Sequence, residues 1–224
     1  MATALSRRPH PHSALAVITL LLVCGLSSRW HWSSLPGAEL LSASKEAVFA
    51  NAQVWRLFTT TFVHGDLQHL LSNSYMLSIL SFLVFGYYGA RVLFVDSIIG
   101  AAVTNALSLW TYEPQTRLVA ASGLVYYLAG FWLTVYLFVD RRRPFSKRVL
   151  RALGVGLIIL FPTSFDPQTS YRTHALGAAL GALVGCVYFA FNHASLRAQE
   201  VWQDVSFDSP LDPSPSMPQD PPSH

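Results

Sequence analysis

Six apolar runs, at residues 14–28, 67–88, 92–110, 121–139, 149–161 and 173–191, follow one another along the chain, most of them separated by short polar links. A succession of this kind restricts the fold to an all-α polytopic membrane bundle, because four of the runs match the ~20 residues that a helix needs to cross a bilayer, while 14–28 and 149–161 are shorter. Composition agrees: 52% of the 224 residues are hydrophobic and only 12% charged, which belongs to membrane rather than water-soluble domains. The first run also fits a signal peptide, but no small-x-small cleavage site precedes a soluble domain, so a retained helix with Trp30 and Trp32 at its outer interface is expected.

The formal net charge is +3. It does not indicate a nucleic-acid partner, since the basic residues gather beside the apolar runs. With the first residue inside, Arg7 and Arg8, Arg91, the cluster D-R-R-R-P-F-S-K-R-V-L-R at 140–151, and Arg197 all fall on the cytoplasmic side. Both termini are then cytoplasmic. Residues 1–12 read as a short N-terminal tail, 13–195 as one membrane domain, and 196–224, rich in Pro, Asp and Ser, as a disordered cytoplasmic tail. Cys24 and Cys186 both lie inside expected spans, where they are packing residues rather than a disulfide framework. No internal repeat is present, which argues against an inverted-repeat transporter.

The outer face receives the chemistry-bearing residues. The stretch L-V-A-A-S-G-L-V-Y-Y-L-A-G at 118–130 puts Ser122 in the first turn of an apolar helix, flanked by small residues. A serine hydroxyl needs a base before it becomes a useful nucleophile, and the chain offers His174 in S-Y-R-T-H-A-L-G-A-A-L-G-A-L-V-G. There Gly177, Gly181 and Gly185 recur every four residues on one face, the spacing that lets two membrane helices approach closely. Ser122, Gly123, Ala129 and Gly130 make the first helix small-faced too. If the two faces pack, Ser122 and His174 come within hydrogen-bond reach. His69 and Asn73, four apart, share one face of the second span. Polar groups at that depth mark either interhelical hydrogen bonds or a site.

Three patches together resemble the rhomboid intramembrane serine proteases: W-R at Trp55 and Arg56; H-x-x-x-x-H-x-x-x-N at His64, His69 and Asn73; and the serine and histidine segments. The resemblance covers residues 14–193. It implies a six-helix bundle with a long structured first outer loop, at about residues 31–61, and an intramembrane serine endopeptidase cleaving transmembrane segments of membrane proteins near the outer face. It assigns His69 and Asn73 to an oxyanion hole with the Ser122 N–H, and packs Tyr126 against the histidine ring. Gly123, Gly177, Gly181, Trp55 and Arg56 become supporting residues. The family motif G-x-S-G has Ala120 at its first glycine here, and Thr173 stands where the motif has Ala before the histidine.

Asp66 and Asp166 lie in outer loops, so a dyad is inferred rather than a triad. Within the first loop, 39–49 reads as an amphipathic piece lying flat at the interface. No metal and no cofactor are implied. The partners are membrane-protein substrates and the bilayer itself, here the plasma (inner) membrane. Two rivals remain: a catalytically inactive relative that binds transmembrane segments, and a small transporter using His69, Asn73 and His174 as a polar path.

Overall fold

The computed structural model describes residues 2–119, 121–160 and 170–201. Ala120, Asp166, Pro162 and the tail beyond residue 201 therefore lie outside it. The described chain is helical, with two isolated antiparallel bridges, Ala2 to Val201 and Ala43 to Leu118. The helices are α1 (Ser13–His31), the single turn α2 (Arg56–Thr59), α3 (Leu67–Arg91), α4 (Ser97–Trp110), α5 (Ala121–Val139), α6 (Phe145–Leu160) and α7 (Tyr171–Ala198). Four helical stretches are long and apolar enough to cross a membrane: Ser13–His31, Leu67–Trp110, Ala121–Val139 and Tyr171–Ala198.

The longest of these is two helices in sequence. Gly89 has φ 87° and ψ 177°, values outside any helix. Phe85 and Phe94 would sit on opposite sides of a straight helix and ~13 Å apart along it, yet their ring centroids are 6.1 Å apart. The chain bends sharply at Gly89, a residue that tolerates positive φ without strain.

α5 occupies the centre, packed by α3, α4, α6 and α7. Its sequence explains this: it is apolar all round, and such a helix has no face to offer water. Leu124, Leu128, Phe131 and Val135 are each at most 1% exposed. α1 instead divides by face. Ala16, Leu20 and Cys24, four apart, are buried toward Leu77, Leu80 and Val84 of α3, while Leu15, Ile18, Leu22 and Leu26 are more than half exposed and form the side left for lipid. Cys24 and Cys186 are both free thiols.

Element ends differ from the apolar runs. α7 continues to Ala198 and α6 starts at Phe145, inside the basic cluster. Arg, Lys, Ala and Leu all form helix well, so propensity carries a helix beyond the apolar segment. The interfacial piece at 39–49 is not one helix: it forms two short turns, Ala38–Leu41 and Glu46–Ala50, separated by extended Ser42. The reason is the bridge at Ala43, which pairs with Leu118 through N–H to O distances of 3.1 and 2.7 Å and draws the backbone out of helix.

Candidate active site

Ser122 enters at the first turn of α5 and His174 at the first turn of α7. Their neighbourhood is set by the helix pair, which is packed backbone to backbone. A Cβ added at Gly177 would lie 2.8 Å from the Gly123 carbonyl, at Gly181 2.0 Å from the Tyr127 carbonyl, and at Gly130 2.2 Å from the Ala178 carbonyl. Gly177 and Gly181 of α7 and Gly130 of α5 are thus held to hydrogen for want of space. The close approach brings the Ser122 Oγ to 2.9 Å from His174 Nε2. With the hydroxyl donating, the neutral imidazole carries its proton on Nδ1.

The pair is enclosed. Ser122 is 6% exposed, and the Tyr126 ring, one turn along α5, stacks on the His174 ring with centroids 3.9 Å apart and planes 9° apart. Among the described residues no carboxylate is hydrogen-bonded to His174. Nor is any group of three or more His, Cys, Asp or Glu side chains placed there to hold a metal ion.

Asp66 caps α3, its Oδ1 accepting the His69 backbone N–H at 2.8 Å. This places His69 in the first turn and Asn73 one turn further. No hydrogen bond joins either to the Ser122 and His174 pair, whose own contact is the 2.9 Å one. The Asn73 Nδ2 is buried and donates to nothing. It is a donor available for a ligand oxygen. His64 serves the loop: it is buried, its Nδ1 lies 3.1 Å from Ser28 Oγ, and its carbonyl accepts from Trp32 Nε1 at 2.8 Å. Trp32 is therefore a loop anchor as well as an aromatic near a helix end. Burial, with the nearby His69 charge adding to it and Asp66 opposing, pushes the His64 pKa down to about 4.

Trp55 and Arg56 are not brought to Ser122. The Arg56 guanidinium sits 5.1 Å from the Trp55 ring and donates to the carbonyls of Glu39 (2.9 Å) and Ser42 (2.8 Å). Their link to the site is indirect, and it runs through residues that sequence reasoning missed. Ser42 adjoins Ala43, which pairs with Leu118, and buried Thr60 donates its hydroxyl to the Leu118 carbonyl at 2.6 Å. Leu118 is four residues before Ser122, so the first loop grips the strand of chain leading into the serine. Nearby, the Asn105 Nδ2 donates to the Leu57 carbonyl and to Thr61 Oγ1 at 2.9 and 3.0 Å.

The histidine has a matching clamp. Ser170 caps α7 by accepting the Thr173 N–H at 3.2 Å, Thr173 Oγ1 is 2.6 Å from Ser170 Oγ, and the Tyr112 hydroxyl bonds to Ser170. Thr173, at the position where the sequence departs from A-H, is 1% exposed and its methyl faces Gly123. A serine three residues before the helix interior is an ordinary cap signature; nothing local signals Tyr112 or Thr60.

Comparison with known proteins identifies the family of the chain. The Rhomboid domain matches residues 51–191, more than half of the chain. "Rhomboid-like protease 3" of Toxoplasma gondii is 28% identical over 180 residues, covering 78% of this chain and 66% of that protein. "Rhomboid-related protein 2" of Mus musculus is 26% identical over 67% of this chain and 53% of its own length. "RHOMBOID-like protein 5" of Arabidopsis thaliana is 24% identical over 69% and 50%. The chain thus spans about half to two thirds of these relatives. With a helical membrane bundle and a domain match across most of its spans, the chain belongs to the rhomboid family.

Proposed function

We propose that the protein is an intramembrane serine endopeptidase that cleaves transmembrane segments of membrane proteins near the outer face through a Ser122 and His174 dyad. The observation that carries this reading is the 2.9 Å contact between Ser122 Oγ and His174 Nε2 beneath the Tyr126 ring. His174 takes the hydroxyl proton as Ser122 attacks a peptide carbonyl, then returns it to the leaving amine; water hydrolyses the acyl-enzyme by the same exchange. The oxyanion is held by the Ser122 N–H at the start of α5, with Asn73 Nδ2 and His69 as side-chain donors. A buried, unpaired amide is the group such a hole requires. A regular helix hides its amides, so the substrate is a segment that unwinds near the interface.

In this reading α1, α3, residues 92–110, α5, α6 and α7 are six spans, and the chain between α1 and α3 is the long structured outer loop. Both termini are cytoplasmic, as the basic clusters favour, and the membrane is the plasma membrane. Residues 13–195 form the membrane domain between two tails. The second reading, an inactive relative that binds transmembrane segments, draws on Ala120 at the motif glycine.

Single Ser122→Ala and His174→Ala variants and the double variant, assayed on a transmembrane reporter in proteoliposomes, separate the readings. The dyad requires each single change to abolish cleavage and the double to be no worse. Cleavage surviving either single change removes the dyad. A parent that is inert until Ala120→Gly restores cleavage supports the second reading.

A further inference from the structure

At the end of the bundle opposite Ser122, the N-terminal segment folds across the last turns of α3 and α7. Ala2 pairs with Val201 through bonds of 2.8 and 3.0 Å, and His10 N donates to the Gly86 carbonyl at 3.0 Å. The fit is tight, since a Cβ on Gly86 would lie 2.7 Å from Pro9 Cβ. Between these elements is a cavity of about 580 Å³, lined by Arg7, Arg8, His10, Tyr88, Tyr188 and Asn192 among others. That volume is within the range of small-molecule sites, roughly 300–1,000 Å³.

The cavity's electrostatics are one-sided. Among the described residues its lining includes no acidic side chain. Among the described residues Arg7 donates only to two neutral acceptors, the Tyr87 carbonyl and Gln199 Oε1, so that no described carboxylate offsets its charge and three of its five N–H donors are left over. The described acids at this end are each paired with another arginine: Asp96 with Arg91 at 3.8 Å, Asp140 with Arg142 at 2.5 Å and Glu200 with Arg141 at 3.3 Å. The Tyr88 hydroxyl is buried and has no partner, while its ring is fixed by Phe131, Trp132 and Tyr188 at 5.4–5.6 Å. A buried phenol without a partner is a stability cost unless a ligand completes it.

We propose that this cavity binds the phosphate of an anionic lipid headgroup, with Arg7 and Arg8 supplying charge and Tyr88 a hydrogen bond. A phosphate group, from a lipid or free in solution, is the chemistry that arginine forks and a phenol recognise. The lipid is favoured because the cavity lies where the apolar helices α1, α3 and α7 have their termini among arginines, and basic pockets between transmembrane helices suit such lipids. The inference is independent of Ser122 chemistry.

The test is thermal unfolding of the full chain in a neutral detergent with added phosphatidylglycerol, phosphatidylcholine or inorganic phosphate. Phosphatidylglycerol at ~100 times its Kd raises Tm by ~5 °C, and the other two do not. Arg8→Gln and Tyr88→Phe each reduce that rise, Arg7→Gln abolishes it, and Arg143→Gln, outside the cavity, keeps it. Because Arg7 also ties the N-terminal segment down, the reading is the lipid-induced difference rather than Tm itself, and Arg8→Gln carries the test if Arg7→Gln does not fold. An equal rise with phosphatidylcholine, or a rise undiminished in Arg8→Gln and Tyr88→Phe, overturns the site. An equal rise with inorganic phosphate overturns the lipid assignment.

Discussion

Gly181→Ala tests how strictly the proposed dyad depends on the contact between α5 and α7. The added methyl would lie 2.0 Å from the Tyr127 carbonyl oxygen, 2.8 Å from its carbon and 3.0 Å from the Phe131 nitrogen. All three are backbone atoms of a central helix, so no side chain can swing aside. Reaching even a 3.0 Å contact moves the helices apart by about 1 Å. His174 lies two turns before Gly181 on the same helix, ~10 Å away. Moved with its helix, its 2.9 Å bond to Ser122 stretches past hydrogen-bond range. A misplacement of ~1 Å costs about 10²-fold in rate. Overpacking also costs ~1–3 kcal/mol of stability, offset in part by the ~1 kcal/mol by which alanine outperforms glycine in a helix. Gly154→Ala in α6 is the control, because a Cβ there meets nothing within 4 Å; it keeps the parental rate. The assay is initial cleavage of a transmembrane reporter in proteoliposomes, alongside thermal unfolding. Gly181→Ala cleaving at the parental rate with unchanged Tm would show that the reasoning is wrong.

If the proposed oxyanion hole is right, Asn73→Ala lowers turnover by up to ~10²-fold without abolishing it, since His69 and a backbone N–H would remain in it; an unchanged rate in a folded variant removes Asn73. Thr173→Val keeps the methyl against Gly123 but deletes the hydroxyl joined to Ser170. We expect kcat to fall ~5-fold, the equivalent of one ~1 kcal/mol hydrogen bond, with KM unchanged, and identical kinetics refute the clamp. His64 gives a pH signature. Folded, it stays neutral down to about 4; unfolded, it protonates below ~6.5. Its contribution is therefore complete above pH 6.5 and lost as pH falls toward 4. His64→Gln flattens the stability slope in that window by up to ~1.4 kcal/mol per pH unit, measured by unfolding in detergent, and equal slopes contradict the assignment.

The glycine face and the Ser122 to His174 contact it permits were legible because each half has a local signature: a serine among small residues at a helix mouth, and glycines at every fourth residue from 177 to 185. The clamps were not. Thr60 to Leu118 and Tyr112 to Ser170 each bridge 58 residues, and Ala43 to Leu118 more; loop contacts of that length have no period to read. Trp55 and Arg56 could be singled out by resemblance alone, and what they touch, the loop carbonyls of Glu39 and Ser42, only the fold reveals. α6 and α7 extend beyond their apolar runs because apolarity reports where lipid is, whereas helix propensity decides where the helix stops. Likewise the interfacial piece at 39–49 was amphipathic in pattern but broken by its pairing with Leu118.

The central claim is that Ser122 is a nucleophile activated by His174. Incubating the full chain in proteoliposomes with a fluorophosphonate and mapping the adduct by mass spectrometry tests it without a known substrate. A single phosphonylated residue, Ser122, labelled in the parent and lost in His174→Ala, is the predicted result. No adduct on Ser122 in a folded parent, or equal labelling with and without His174, would contradict the account.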